Sequence, residues 1–145
     1  MNILIINGPN LNLLGLREPH IYGSSSYNEL CTQLFAYAKT LDIIIDIRQS
    51  NHEGIIIDWI QADWSKFDGL ILNPGALTHY SYAILDCLKA VPLPTIEVHL
   101  SDTDAREPFR KISVVKDACI KQIKGKGFAG YIEALDYFAK GNDIK

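Results

Sequence analysis

The sequence of 145 residues contains no apolar run that approaches the roughly 20 residues needed to span a membrane. Its first apolar segment has no basic region before it and no small-residue cleavage site after it, so we expect no signal peptide. The net charge of −3 and the pI near 5.7 argue against a surface for nucleic acid or anionic membrane. We therefore expect a soluble protein that binds neither.

The chain has few cysteines and no two histidines at the spacing of a metal site. The three cysteines, Cys31, Cys87 and Cys119, show no Cys-x-x-Cys spacing, and they lie among residues of helical periodicity, as small buried hydrophobes do. An odd number of thiols without pairing logic is typical of a reducing compartment, so we expect the cytoplasm. The four histidines include no i,i+4 pair, so no metal site is predicted.

The composition is that of a globular protein. Apolar residues make up 48% of the chain and charged residues 21%, which excludes a disordered protein. A chain of this length can bury one hydrophobic core, so we predict a single domain over residues 1–145.

Short β-branched segments alternate with amphipathic ones along the chain. The predicted strands are residues 1–6, 42–49, 67–73, 93–99 and 112–115. The predicted helices are 27–41, 54–65, 78 or 79 to 90, and the remainder to about 139 with an interruption at 125–130. Ser-x-x-Glu capping boxes at 26–29 and 50–53 mark the first two helix starts. This alternation predicts an α/β fold: a flavodoxin-like three-layer sandwich with a five-stranded parallel sheet of order 2-1-3-4-5.

Residues 125–130 fit the pattern G-x-G-x-x-G of dinucleotide-binding loops. We find no buried strand before them, and only 15 residues follow, too few for the acidic residue expected about 20 positions later. We therefore predict a turn before the last helix.

In parallel sheets of this kind, ligands bind beyond the carboxyl ends of the strands where the strand order reverses. The site should therefore collect the residues that follow strands one, three and four. An unusually long connection, residues 7–23, follows strand one, and long connections are often functional. The polar residues at these three places are Asn7, Asn10, Arg17, Tyr22, Asn73, His79, Glu97, His99, Ser101 and Arg110.

These residue types suit a small anionic substrate whose reaction moves protons. A phenol becomes a useful base when its pKa falls from about 10 toward neutrality, and a nearby guanidinium favours this. Arg17 and Tyr22 lie on one loop and can form that pair. An imidazole suits proton donation at neutral pH, and Glu97 shares a strand face with His99, where a carboxylate favours the protonated ring.

Several motifs occur together in one order. They are Asn7-Gly-Pro-Asn-Leu-Asn-Leu-Leu-Gly15, Arg17-Glu-Pro19, Tyr22-Gly23, Ser50-Asn-His-Glu-Gly54, Asn73-Pro-Gly-Ala76, Thr78-His79, Val98-His-Leu-Ser101, Ala105-Arg-Glu107 and Phe109-Arg110. With these motifs the chain resembles type II 3-dehydroquinate dehydratase, from residue 2 to about residue 110, with a looser match to the glycine-rich turn and final helix. The pattern departs from the family at Asp102, where asparagine is more usual.

The resemblance implies a flavodoxin-like domain that dehydrates 3-dehydroquinate to 3-dehydroshikimate through an enolate, without metal or cofactor. It implies that Tyr22 is the base, that Arg17 lowers the pKa of its phenol, and that Asn10 holds the enolate oxygen through a water. His99 would protonate the departing hydroxyl, with Glu97 orienting it. The implied substrate-binding residues are Asn73, His79, Leu100 through its backbone, Ser101, Arg110 and, from a neighbouring subunit, Asp86. The implied assembly is a homo-dodecamer built as a tetramer of trimers.

A second interpretation is a flavodoxin-like binding or signalling module without catalysis. A phospho-receiver of this fold needs acidic residues after strands one and three, where this chain has Asn7 and Asn73. The sequence favours the lyase and leaves open whether it serves aromatic biosynthesis or quinate breakdown.

Overall fold

A five-stranded parallel sheet forms the centre of the molecule in the computed structural model, which describes residues 1–16, 18–22 and 24–141, with Tyr22 described by its backbone only. The strands are β1 (Asn2–Asn7), β2 (Ile44–Gln49), β3 (Gly69–Asn73), β4 (Thr95–His99) and β5 (Lys121–Lys124). Their order is β2-β1-β3-β4-β5, and every neighbouring pair is parallel. The predicted fold class and strand order are confirmed.

Helices cover both faces of the sheet. They are α1 (Pro19–Tyr22), α2 (Tyr27–Thr40), α3 (Glu53–Asp63), α4 (Tyr82–Ala90) and α5 (Ala129–Ala139). None of the helices in the described ranges combines the length and the apolar character needed to cross a bilayer.

The alternation of side chains along β1 divides the core into two layers. Ile3 and Ile5 are buried in one cluster with apolar side chains of α2 and α5. Leu4 and Ile6 point to the other face, into a cluster with side chains of α3 and α4. Since successive side chains of a strand point to opposite faces, one short apolar strand fixes both helical layers.

One of the two predicted capping boxes is formed. At the start of α2, Ser26 Oγ accepts a hydrogen bond from the Glu29 amide, and the Glu29 carboxylate accepts one from the Ser26 amide. The prediction for α3 is wrong, because the residue before that helix is His52, which makes no side-chain cap. Ser50 Oγ instead accepts a hydrogen bond from the His52 amide at 3.0 Å, within the preceding turn.

The last strand lies later in the chain than the sequence predicts. Residues 112–115 form no strand, and β5 is Lys121–Lys124, a segment that was expected to be helical. β5 is an edge strand in which only Ile123 is buried, so its lysines and glutamine hide the apolar alternation of a strand. A strand therefore does precede the glycine-rich segment 125–130. That segment is nevertheless the predicted turn, with Gly125 and Gly127 at φ of 79° and 56°.

Ile84, Cys87 and Leu88 form the core face of α4, whereas Ala83 is exposed. One smaller prediction also needs correction. Cys119 lies outside any α-helix, directly after a short 3-10 turn. All three cysteines are free thiols.

Candidate active site

A pocket opens at the carboxyl edge of the sheet, where the connections that follow β1, β3 and β4 meet. Its walls are Pro9, Asn10, Leu11, Asn73, Gly75, Ala76, His79, His99, Leu100, Ser101, Thr103, Arg106 and Arg110. The three predicted segments therefore do converge. The backbone approach is close, since a Cβ atom on Gly8 would lie 2.6 Å from the carbonyl oxygen of Pro74.

A buried carboxylate supports the imidazole at the end of β4. Glu97 has no exposed surface, and its Oε1 lies 2.6 Å from Nε2 of His99. Burial by itself raises the pKa of Glu97, but hydrogen bonds from His99, Thr78 and Ser113 outweigh it and hold the pKa below its usual value. The carboxylate is therefore ionised at neutral pH.

This contact determines which nitrogen of His99 is left for chemistry. An ionised carboxylate only accepts hydrogen bonds, so Nε2 of His99 carries a proton and donates it to Glu97. His99 lines the pocket and is 6% exposed. The remaining ring nitrogen, Nδ1, is the one that can exchange a proton with a bound molecule.

The second histidine of the pocket uses its other ring nitrogen for its protein contact and leaves an acceptor for the substrate. His79 Nδ1 lies 2.6 Å from the carbonyl oxygen of Ile112, so this nitrogen is the donor and Nε2 is left as an acceptor. Burial lowers the pKa of His79, and the nearby charges of His99 and Arg110 lower it further against the raising effect of that carbonyl. A neutral His79 can accept a hydrogen bond from a substrate hydroxyl.

Arg110 provides a cation at the pocket wall. Its Nε donates to the Glu107 carboxylate at 2.6 Å, and its guanidinium carbon lies 4.7 Å from the centroid of the Phe109 ring. The Phe109 ring also meets the His79 ring edge-on, with centroids 5.5 Å apart. These contacts hold the guanidinium beside the pocket, where it can bind an anionic group.

The glycine-rich turn after β5 supports the backbone of Leu100 and Ser101. Gly125 N donates to the Ser101 carbonyl and Gly127 N donates to the Leu100 carbonyl, both at 3.0 Å. Asp102, the departure from the family pattern, turns its side chain to the amide of Asp104 at 3.1 Å.

Asn10 is held in an unusual backbone conformation. Its φ of 69° lies in the left-handed region, which asparagine tolerates better than most residues. The Asn10 amide donates to Asn51 Oδ1 at 2.9 Å, and Gln49 Nε2 lies 3.1 Å from the same oxygen. The end of β2 thus fixes the turn that carries Asn10 into the pocket.

A buried tyrosine of α5 connects the ends of β1 and β3 beneath the pocket. Tyr131 OH donates to Asn7 Oδ1 at 2.5 Å and accepts from Asn73 Nδ2 at 2.9 Å. Asn73 Oδ1 in turn accepts from the Gly75 amide at 3.2 Å. The Asn73 side chain, predicted to bind substrate, is therefore oriented by α5.

Replacing Tyr131 with phenylalanine is expected to lower the free energy of unfolding by about 1–3 kcal/mol for each polar group left unpaired. The ring fits the same space, but Asn7 Oδ1 and Asn73 Nδ2 both lose a partner in a buried position. Urea denaturation at one fixed protein concentration measures the change. Tyr37→Phe is the matched control, because the hydroxyl of Tyr37 bonds to Asp136 at a half-exposed site. Equal stabilities of the two variants would contradict the structural role of the Tyr131 hydroxyl.

Besides Glu97, which contacts His99 and does not itself line the pocket, three predicted site residues are not part of the described pocket wall. Arg17 and the side chain of Tyr22 lie outside the described residues, and so does any contact between them. Asp86 is described and is exposed on α4, and it does not line the pocket of its own chain. Within the described part of the chain, no group of three or more His, Cys, Asp or Glu residues is placed to hold a metal ion.

Several residues of the site could not be found from the sequence. Thr78, Ser113 and Gln122 contact Glu97, and Tyr131 orients Asn73. The position of Gln122 follows from its pairing with Glu97 across β4 and β5, which the misplaced last strand concealed. The remaining contacts join segments that are far apart in the chain, and no local pattern reveals them.

Comparisons with known proteins find relatives that match nearly the whole chain. The chain matches the protein family described as Dehydroquinase class II over residues 1–139. It is 58% identical to the 3-dehydroquinate dehydratase of Caldicellulosiruptor saccharolyticus over 134 residues, which cover 92% of each protein. It is 50% identical to the 3-dehydroquinate dehydratase of Deinococcus radiodurans over 139 residues, which cover 95% of this chain and 97% of that one. The crystal structure of type II dehydroquinase from Butyrivibrio crossotus superposes with a TM-score of 0.93 at 50% identity, over 97% of both chains.

Proposed function

Because the chain belongs to the dehydroquinase class II family, we propose that it catalyses the dehydration of 3-dehydroquinate to 3-dehydroshikimate. The enzyme is a hydro-lyase, and it serves the shikimate pathway or quinate catabolism. A single domain over residues 1–145 carries the activity, and the reaction uses no cofactor.

The observation that carries this proposal is the buried Glu97 carboxylate against Nε2 of His99 at the pocket wall. It provides an imidazole whose Nδ1 can donate a proton beside a cluster of anion-binding and hydroxyl-binding groups. Elimination of water next to a ketone requires such an acid, because hydroxide is a poor leaving group.

The first step removes a proton from the carbon next to the ketone. Tyr22, as the phenolate, takes this proton, and the electrons of the C–H bond form an enolate. Arg17 favours the phenolate and the developing negative charge, since a cation stabilises the ionised form of a neighbouring phenol. Asn10, held at the pocket wall by Asn51, keeps the enolate oxygen in place through a water molecule.

The second step expels the hydroxyl from the neighbouring carbon. The enolate electrons re-form the ketone and a new carbon–carbon double bond, the C–O bond breaks, and Nδ1 of His99 gives its proton to the departing oxygen. Water leaves, and His99 and Tyr22 then exchange protons with solvent to restore their starting forms. Tyr22 and His99 act from opposite faces of the ring, which makes the elimination anti.

The remaining pocket residues bind the substrate. Arg110, Ser101 and the backbone of Leu100 take the carboxylate and nearby hydroxyl groups. Neutral His79 accepts a hydrogen bond from a hydroxyl, and Asn73 contributes its free amide hydrogen. A cation, an acceptor and an amide placed around one small pocket match a hydroxylated carboxylic acid.

The assembly is a homo-dodecamer, a tetramer of trimers in the cytoplasm, in which Asp86 reaches the substrate site of a neighbouring subunit. Several large apolar side chains around the pocket are more than half exposed in the isolated chain, and burial in an assembly would remove them from water. They are Tyr80, Tyr82, Phe109 and Ile112, at 62%, 65%, 53% and 59% exposure. Sedimentation equilibrium tests the assembly, and a mass of one chain would rule it out.

The test of the activity is the ultraviolet absorbance of the product, whose double bond is conjugated with the ketone. Adding 3-dehydroquinate to the enzyme should produce a steady rise in absorbance that scales with enzyme concentration. His99→Ala, checked for native circular dichroism, is the control and should be slower by about 10²- to 10⁴-fold. No rise with well-folded wild-type enzyme would refute the proposed function.

A further inference from the structure

The Glu97 carboxylate accepts hydrogen bonds from four side chains. Thr78 Oγ1 and Nε2 of His99 both donate to its Oε1. Gln122 Nε2 donates to its Oε2 at 2.9 Å, and Ser113 Oγ lies 2.9 Å from both oxygens. Only His99 belongs to the proposed reaction, so the other three contacts need a separate explanation.

The direction of each hydrogen bond follows from the chemistry of the groups. Ser113 Oγ accepts the Lys116 amide at 3.1 Å and also lies 2.9 Å from Thr78 Oγ1, but the charged Glu97 oxygens are stronger acceptors than that hydroxyl and take the Ser113 proton. The amide nitrogen of Gln122 is a donor only, and it comes from β5, whose register pairs Gln122 with Glu97. Both residues therefore point protons at a group that carries a full charge and no exposed surface.

These donors fix the carboxylate in one orientation. A carboxylate that bonds only to His99 could rotate about its last torsion and offer either oxygen. With Gln122 on Oε2 and Thr78 on Oε1, rotation would break bonds on both sides. Hydrogen bonds to a buried charge are worth more than neutral ones, and leaving a buried charge underbonded is costly.

We propose that Ser113 and Gln122 are positioning residues for the proton-donating step, which hold Glu97 so that His99 presents Nδ1 to the leaving hydroxyl. This inference rests on the proposed function for its kinetic test. Neither residue lines the pocket, so both act through Glu97 and His99 and not through the substrate.

The charged and titratable groups around the pair are few. His79, Arg106 and Arg110 line the pocket together with His99. The Cys119 thiol lies near Glu97, and burial together with the Glu97 charge raises its pKa to about 12, so it stays neutral. On β5, Lys121 and Lys124 form ion pairs with Glu133 and Asp104.

The test compares two replacements of Gln122 with a matched surface control. Gln122→Met keeps the length of the side chain and removes the donor, and it should lower kcat about ten- to hundred-fold with KM within about two-fold. At the acidic end of the kcat–pH profile, kcat should fall more steeply than in the wild type, because Glu97 loses one of the bonds that keep it ionised. Gln33→Met, exposed on α2, should leave both parameters unchanged.

Gln122→Glu separates positioning from packing. The shape is retained, but the introduced carboxyl can donate to Glu97 only while it is protonated. Two carboxyl groups in contact resist double ionisation, so kcat should be partly preserved at low pH and should fall as the pH rises. Ser113→Ala should reproduce the kcat loss, and Ser113→Thr, which restores a hydroxyl, should recover at least part of it.

Unchanged kcat and pH profiles in Gln122→Met and Gln122→Glu, with active wild-type enzyme, would overturn the inference. If the wild type itself shows no turnover, the proposed function fails, and crystal structures of the variants still test the positioning. An unmoved His99 ring in Gln122→Met would then refute it, and a rotated Glu97 carboxylate would support it. Thermal unfolding of each variant confirms that the chain is folded before kinetics are compared.

Discussion

Replacing Tyr22 with phenylalanine is expected to reduce kcat by about 10³-fold or more while KM changes by less than about three-fold. The phenyl ring keeps the bulk of the side chain and loses only the oxygen that we propose takes the substrate proton. We expect substrate affinity to come from other groups of the pocket wall, including Arg110, Ser101 and His79. A base that acts in the transition state and contributes little to ground-state binding gives this separation of kcat from KM.

Steady-state kinetics and calorimetric titration of the substrate measure the two effects separately. Tyr37→Phe is the matched control. The Tyr37 hydroxyl bonds to Asp136 of α5. Tyr37 lies near the end of α2, and this helix starts at the carboxyl edge of the sheet and runs toward the opposite edge. The Tyr37→Phe enzyme should therefore show wild-type kinetics. A Tyr22→Phe enzyme with near-normal kcat would remove Tyr22 from the role of base and leave the first proton transfer to another group.

Replacing Glu97 with glutamine is expected to reduce kcat by about 10²- to 10³-fold, because the charged partner of the proton donor is lost. The carboxylate accepts bonds from four side chains, whereas an amide offers one acceptor oxygen and turns two hydrogens toward other donors. An amide group also places no negative charge beside the His99 ring. Both effects weaken proton delivery from Nδ1 of His99 and leave binding groups such as Arg110 intact.

Kinetics over a range of pH measure this second effect, with Glu133→Gln as the control. Glu133 pairs with Lys121 and Lys126 on the surface of α5, so its replacement should leave kcat unchanged. In the proposed mechanism the wild-type rate should fall in acid first as the Tyr22 phenolate is protonated, because the pKa of Glu97 lies below its usual value and its carboxylate stays ionised to lower pH. A Glu97→Gln enzyme that keeps wild-type kcat and pH dependence would show that His99 needs no anionic partner.

Much of the fold could be predicted because its central strands carry a local signal. β1, β3 and β4 are short, β-branched or leucine-rich, and buried almost throughout, and helices with one apolar face separate them. β5 gave no such signal, because an edge strand with one buried side chain reads as a polar segment. The Ser-x-x-Glu spacing predicts Ser50 as the helix cap, two residues before the actual cap at His52. The same spacing can also belong to the turn that directly precedes a helix.

The candidate site was predictable to the extent that its residues follow strand ends. The convergence of Asn10, Asn73, His79 and His99 follows from parallel strands sharing one edge. Hydrogen bonds that orient these side chains come from distant segments, as with Tyr131 beneath Asn73, and depend on register and packing. The roles of Arg17 and Tyr22 stay predictions, since neither side chain is among the described residues.

Because the tyrosine that joins Asn7 to Asn73 lies in the last helix, we expect the pocket to be completed only late in synthesis. The two asparagines are made early, but their partner Tyr131 belongs to the final helix, and Gln122 lies only nine residues before that tyrosine. A nascent chain that has been synthesised only as far as β4 therefore contains all the proposed reacting groups. It lacks Gln122 and Tyr131, whose contacts orient them. Ribosome-bound chains that lack α5 should be inactive. Truncations that extend into that helix should disturb the pocket before the rest of the fold.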